Sequence, residues 1–323
     1  MKKAICVMLS LLLLLGAAAC SAPAQNQDTE AAASTQAGQT GITSAETEGA
    51  TTAAEEAPRY TAWNEVPTNE YRQEEITVDL NGQTVWGVVL IPALEQERYP
   101  LVICCHELGL QYDACMDNAE LMATHGVAAC CFEFRGVGSN SEISPYEMSI
   151  MTEVEDTQAV IAAAGEWSFV DPEKIVLYGR SMGGAVAAIA AARSAERVNG
   201  LILCYAALSM ADRVRDQFSS LEEVPSTFPL SGTSVTLGKA FAEDVWDYDI
   251  LAEIGSYAKP VLLLHGKADI ITRIGYMEQA AEIYPDAVLY TLNGGHGFSE
   301  KLWEEANGQI LQYLQDINVI AAN

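Results

Sequence analysis

A chain of 323 residues, half of them apolar, carries enough hydrophobic side chain for a large core, which excludes disorder throughout. Its 17 Lys and Arg stand against 44 Asp and Glu, a formal net charge of −27. Phosphate binding needs a basic footprint, so nucleic acid is excluded as a natural partner, and a strongly anionic substrate meets repulsion that salt screens beyond roughly 10 Å.

At the start of the chain, Lys2 and Lys3 precede an apolar run from Ala4 to Leu15, followed by Gly16-Ala17-Ala18-Ala19-Cys20. These are the parts of an export signal over residues 1–19, and the run is too short to span a bilayer. Small residues before a cysteine resemble a bacterial lipobox. That resemblance implies cleavage before Cys20, attachment of a lipid to its thiol, and a mature protein anchored on the outer face of a bacterial cell membrane. Residues 20–59 hold almost no large apolar side chain and read as a flexible acidic tether. The remaining domain, residues 60–323, carries 38 acids and 14 bases, about −24, so an anionic bilayer repels it and the tether lets it stand off.

Ile76 to Leu80 alternates, Asn81-Gly82 is a turn signal and Val85 to Ile91 is a second apolar run, which together predict a β-hairpin. Near-continuous apolar runs follow at Leu101–Cys105, Val127–Phe134, Ile175–Tyr178, Leu201–Cys204, Val261–Leu264 and Val288–Leu292. Strands covered on both faces have this composition. Helical stretches separate them at Ala114–His125, Ile150–Gly165, Met182–Arg193, Gly275–Tyr284 and Ser299–Ile317. The expectation is one α/β domain with a mostly parallel eight-stranded sheet flanked by helices. About 40 residues, 208–247, interrupt the rhythm between the sixth and seventh strands, and a connection of that length reads as a cap over an active site.

Cysteines 104, 105, 115, 130, 131 and 204 fall mainly in apolar strand-like runs rather than at framework spacing, so buried thiols are expected. There is no CxxC pair, and His106, His125, His265 and His296 are not spaced as a local zinc site, so neither metal nor cofactor is implied.

Gly179-Arg180-Ser181-Met182-Gly183 follows a strand and opens an alanine-rich helix, the context in which G-x-S-x-G is a nucleophile elbow. A serine hydroxyl is a weak nucleophile; a tight turn at a helix N-terminus exposes it where N–H groups and the helix dipole favour negative charge. Asp269 stands just past the seventh strand in His265-Gly266-Lys267-Ala268-Asp269, and His296 follows the last strand in Gly294-Gly295-His296-Gly297-Phe298. Ser181, Asp269 and His296 therefore form a candidate triad, with His296 as base and acid and Asp269 fixing its tautomer. Met182 N–H is one expected oxyanion donor. Cys105-His106-Glu107-Leu108-Gly109 follows the third strand, where Leu108 N–H is the expected second donor and His106 braces the loop. His265 reads as structural, and His125 as a partner of its helix's C-terminus or a surface residue.

On these motifs, and on Phe134-Arg135-Gly136-Val137-Gly138-Ser139, residues 70–317 resemble the α/β-hydrolase superfamily. Within it they are most similar to capped bacterial carboxylesterases of the cinnamoyl (feruloyl) type and to serine-aminopeptidase-like hydrolases. Dienelactone hydrolases are similar too, but their elbow carries cysteine where this chain has Ser181. The resemblance implies an acyl-enzyme mechanism without a cofactor, a small-molecule ester as substrate, and a turn at Arg135-Gly136 lining the pocket floor. Arg180 is expected to pair with a nearby acid such as Glu133. Tyr205, Phe228, Trp246 and Tyr248, in or beside the cap, are either an aromatic substrate pocket or cap core. Three functions stay open: an esterase, a peptidase using the same triad, and a non-catalytic binding lipoprotein.

Overall fold

The computed structural model describes residues 68–138, 141 and 143–320. The export segment, Cys20, the tether and Ser139 lie outside the described residues.

Strands β1 (Tyr71–Leu80) and β2 (Gln83–Pro92) pair antiparallel in full register from Tyr71↔Pro92 to Leu80↔Gln83. The two-residue connection is possible because Asn81 and Gly82 both take positive φ, 57° and 83°, the conformation that a twist-matched hairpin turn demands. The chain continues through β3 (Tyr99–Cys105), α1 (Met116–Thr124), β4 (Ala128–Phe132), α2 (Ile150–Ala164), β5 (Val170–Arg180), α3 (Met182–Arg193) and β6 (Gly200–Cys204). A short 3-10 turn at Tyr112–Cys115 replaces the first turn of the helix expected from Ala114.

Residues 208–247 form α4 (Met210–Arg215), a two-stranded ribbon of β7 (Thr227–Pro229) and β8 (Thr236–Gly238), and α5 (Lys239–Val245). The chain then returns through α6 (Ile250–Ile254), β9 (Val261–Gly266), α7 (Ile274–Ile283), β10 (Ala287–Leu292) and α8 (Glu300–Asp316).

The main sheet has eight strands in the order β1-β2-β4-β3-β5-β6-β9-β10, parallel from β4 onward, with β1 and β2 antiparallel at one edge. Alternate strand residues feed two cores. Ile103, Cys105, Leu177 and Leu203 pack with α2 and α3 on one face, whereas Val102, Cys104, Tyr178 and Cys204 pack with α1 and α8 on the other. The central strands are thus apolar at every position because both faces are covered. The six described cysteines are all buried and free. Among the described residues no helix is long and apolar enough to cross a membrane.

Candidate active site

Parallel strands end together, and the loops leaving the carboxyl ends of β3, β5, β9 and β10 converge on one serine. Ser181 joins β5 to α3 with φ 50° and ψ −117°, a conformation that an L-residue holds only when its surroundings impose it. Those surroundings are backbone: Ser181 N–H donates to Cys204 O (3.0 Å), and Ser181 O accepts from Gly184 N (3.0 Å) and Ala207 N (2.8 Å). The elbow closes only around glycine, since a Cβ at Gly183 would lie 2.3 Å from the carbonyl oxygens of Cys105 and His106. Ser181 is also the N-cap residue of α3, but its hydroxyl makes no capping bond. It points to His296 instead.

Ser181 Oγ lies 2.9 Å from His296 Nε2, and His296 Nδ1 lies 2.8 Å from Asp269 Oδ2. A carboxylate only accepts, so Nδ1 carries the imidazole proton and Nε2 is left to accept from the serine. Burial alone would raise the Asp269 carboxyl, but hydrogen bonds from His296 and from Thr272 outweigh it and hold it at about 2. The loops bearing these groups are zipped together, Lys267 N to Leu292 O and Ala268 N to Gly294 O, both at 2.8 Å. Tyr205, at the end of β6, packs edge-on against the His296 ring with centroids 4.8 Å apart.

Met182 begins α3, so its N–H has no intrahelical acceptor and is available beside Ser181. Leu108 lies in a tight turn closed by Leu110 N to Glu107 O (3.2 Å), with Gly109 at φ 74°. Leu108 and Ser181 line one cavity of about 290 Å³. Its walls are otherwise largely apolar, with Leu110, Ala207 and Ile271 from the main domain and Met210 and Leu230 from segment 208–247. That segment also touches the turn directly, because a Cβ at Gly109 would meet Val235 at 2.7 Å.

Several other sequence expectations resolve differently. Arg180 pairs with Glu107 at 2.5 Å rather than with Glu133. It also donates to Tyr205 Oη (2.9 Å) and lies 4.8 Å from the Trp303 ring centre, so it ties the elbow to the Leu108 turn from below. Arg135 does not line the pocket floor: it is buried against Asp156, with Gln83 Oε1 at 2.5 Å and Glu155 at 3.1 Å. Phe228 is buried against Phe218, and Trp246 and Tyr248 lie outside the Ser181 cavity, so these three aromatics are packing. Tyr205 alone of the four lines it.

His106 is buried, with Nδ1 3.0 Å from Glu107 O and its ring on Phe134. Burial lowers its pKa, as it does for His265, whose Nε2 lies 2.9 Å from Thr272 O. His125 Nδ1 lies 2.7 Å from Leu121 O at the end of α1. Among the described residues no group of three or more His, Cys, Asp or Glu side chains is placed to hold a metal.

Sequence reasoning missed Thr272. Its hydroxyl donates to Asp269 Oδ2 (2.8 Å) and lies 3.2 Å from His296 Nδ1, and its N–H donates to Asp269 Oδ1 (2.9 Å). Ile271 N–H supplies a further bond to Oδ1 at 2.8 Å. The signal was an acid followed two and three residues later by N–H groups, the pattern of an Asx turn.

Residues 96–229 match the family model described as serine aminopeptidase, S33. Among solved structures, Est1E from Butyrivibrio proteoclasticus with ferulic acid bound has a TM-score of 0.66 at 20% identity, covering 73% of this chain and 98% of that one. The fold is that of an α/β-hydrolase. A further solved structure, the Pyrococcus furiosus esterase Pf2001, has a TM-score of 0.58 at 17% identity over 77% of this chain and 91% of its own. An uncharacterized membrane protein of Saccharomyces cerevisiae, YNL320W, is 31% identical over 163 residues, 50% of this chain and 51% of that protein. The chain spans about half the length of the curated relatives it matches.

Proposed function

We propose that the chain is a serine hydrolase that cleaves carboxylic esters through an acyl-enzyme. The observation that carries this reading is the relay from a strained Ser181 through His296 to Asp269, with contacts of 2.9 and 2.8 Å. In the first half-reaction Ser181 Oγ attacks the ester carbonyl carbon while His296 Nε2 takes its proton. The N–H groups of Met182 and Leu108 stabilise the oxyanion, a kind of contact worth about 3 kcal/mol per donor. Collapse of the tetrahedral adduct expels the alcohol, which receives the proton from His296. Water then repeats the sequence on the acyl-serine, with Asp269 balancing the imidazolium each time.

A peptidase reading is favoured by the family description over residues 96–229. An aminopeptidase needs a carboxylate to hold the substrate ammonium, and the cavity's Glu107 already neutralises Arg180. The ester reading therefore fits this pocket better. Turnover of short acyl esters, methyl ferulate and aminoacyl anilides by the purified chain, with Ser181→Ala as control, separates the two. Ester hydrolysis lost in the variant supports the proposal; anilide preference favours the peptidase, and activity retained by Ser181→Ala removes both. Export and lipid attachment at Cys20 belong to the same proposal, resting on the sequence of residues 1–20. Metabolic labelling with a radioactive fatty acid, lost in Cys20→Ser, tests them.

A further inference from the structure

Three arginines among the described residues are not exposed: Arg135, Arg180 and Arg213. The first two are neutralised by carboxylates, Asp156 with Glu155 and Glu107 respectively. Arg213, on α4, differs. It donates through Nη1 to Ile271 O (3.1 Å) and through Nη2 to Ser231 O (2.6 Å), both neutral carbonyls, and makes no ion pair among the described residues. A guanidinium carries five N–H donors, so three remain.

Arg213 lines the same cavity as Ser181 and His296. None of the acids near it is ion-paired to it among the described residues, the exposed Asp216 that lines a neighbouring cavity with it included. Asp212 pairs with Arg215 at 2.6 Å and accepts the Tyr276 hydroxyl, Asp269 serves His296 and Thr272, and Glu107 serves Arg180. Removing a cation partly from water without an ion-paired carboxylate costs stability, and burial lowers the Arg213 pKa although the charge of Asp269 acts in the opposite direction. In a domain with a large excess of acids, leaving this half-buried arginine without an ion pair in a largely apolar pocket, whose own Glu107 is held by Arg180, calls for an anion from outside.

We infer that Arg213 is a specificity residue that binds a single carboxylate on the substrate, so that the preferred esters are short, apolar and mono-anionic. This inference rests on the ester hydrolase reading of Ser181. The net charge of the domain repels such a substrate at a distance, but screening confines that effect, and a charge-assisted, two-pronged contact acts at close range. The two carbonyl contacts hold the guanidinium plane in place before substrate arrives, reducing the ordering cost.

The carboxylate can belong to the acyl part or to the leaving group, and matched substrates distinguish them. One pair is the monoethyl ester of glutaric acid and the ethyl ester with an isopropyl group replacing its carboxylate. The other pair places the same two groups on the alcohol side of a butyrate ester. The purified full chain is expected to prefer the carboxylate member of one pair by about tenfold or more in kcat/KM. Arg213→Gln should collapse that ratio toward one, mainly through KM, and Arg213→Lys should restore part of it. A purely structural Arg213, clamping α4 to the Ile271 loop, would lower both members equally and leave the ratio intact. A wild-type ratio at or below one in both pairs, or a ratio unchanged in Arg213→Gln, overturns the inference. Failure of the underlying ester reading is a different result: no turnover of either member and no labelling of Ser181 by a fluorophosphonate.

Discussion

The turn at Ser181 and segment 208–247 hold their residues in place by different means. Around Ser181 the geometry is set by main chain: Cys204 O and the amides of Gly184 and Ala207 bond it, and the carbonyls of Cys105 and His106 leave no room for a side chain at Gly183. In segment 208–247 side chains do the fixing. Arg213 grips Ile271 O and Ser231 O, Gln217 spans Pro229 O (2.7 Å) and Ser231 N (3.1 Å), and Phe218 packs on Phe228. A turn set by backbone tolerates almost no change, whereas a pocket wall set by side chains can be altered without disturbing that turn. The same fold can thus keep one reaction and vary its substrate.

Substitutions at the two regions sharpen this contrast. The largest effect is expected for Ser181→Ala, a loss of roughly 10⁵-fold or more in kcat on short esters with an unchanged melting temperature. Next, Asp269→Asn should cost about 10³- to 10⁴-fold, since the amide offers an N–H where His296 needs an acceptor and so selects the wrong tautomer. Gly183→Ala attacks the elbow itself. Its methyl group meets two carbonyl oxygens, and chemical denaturation should show a loss of about 2–4 kcal/mol.

Smaller changes follow. Thr272→Val removes the hydroxyl bond to Asp269 Oδ2 but keeps the N–H bond, so kcat should fall by about tenfold, recovering in Thr272→Ser. Asp269 also makes a pH prediction. Its folded pKa is depressed to about 2, so its stabilising contribution is complete above the ordinary carboxylate value and disappears as pH falls through about 2. Acid unfolding followed by circular dichroism should show this contribution lost between about pH 4 and pH 2, and missing in Asp269→Asn. In segment 208–247, Gln217→Ala, at a partly exposed bridge, should change stability by less than about 0.5 kcal/mol.

The contrast also explains what was legible in the sequence. The hairpin at Asn81-Gly82, the buried parallel strands and the elbow before α3 are written in local rules: turn chemistry, continuous apolar runs, and glycines flanking a serine. Their counterparts in the structure start and stop within a few residues of where the pattern puts them. Asp269 and His296 could be singled out because each lies in a loop just after a strand. The partner of Arg180 was not, because Glu107 arrives from a loop 73 positions earlier and only the β3–β5 pairing brings the two together. The aromatic residues in and beside segment 208–247 were equally opaque, since composition does not say whether a ring faces a cavity or its own small core. Arg213 carries no sequence motif at all. Its distinction lies in what does not surround it.

The most direct test of the central claim is mass spectrometry of the chain after treatment with a fluorophosphonate, in the wild type and in His296→Ala. An activated serine at the elbow predicts a single stoichiometric adduct on the peptide containing Ser181, formed far more slowly without His296. A folded wild-type protein that stays unmodified, or an adduct on another serine, would contradict it.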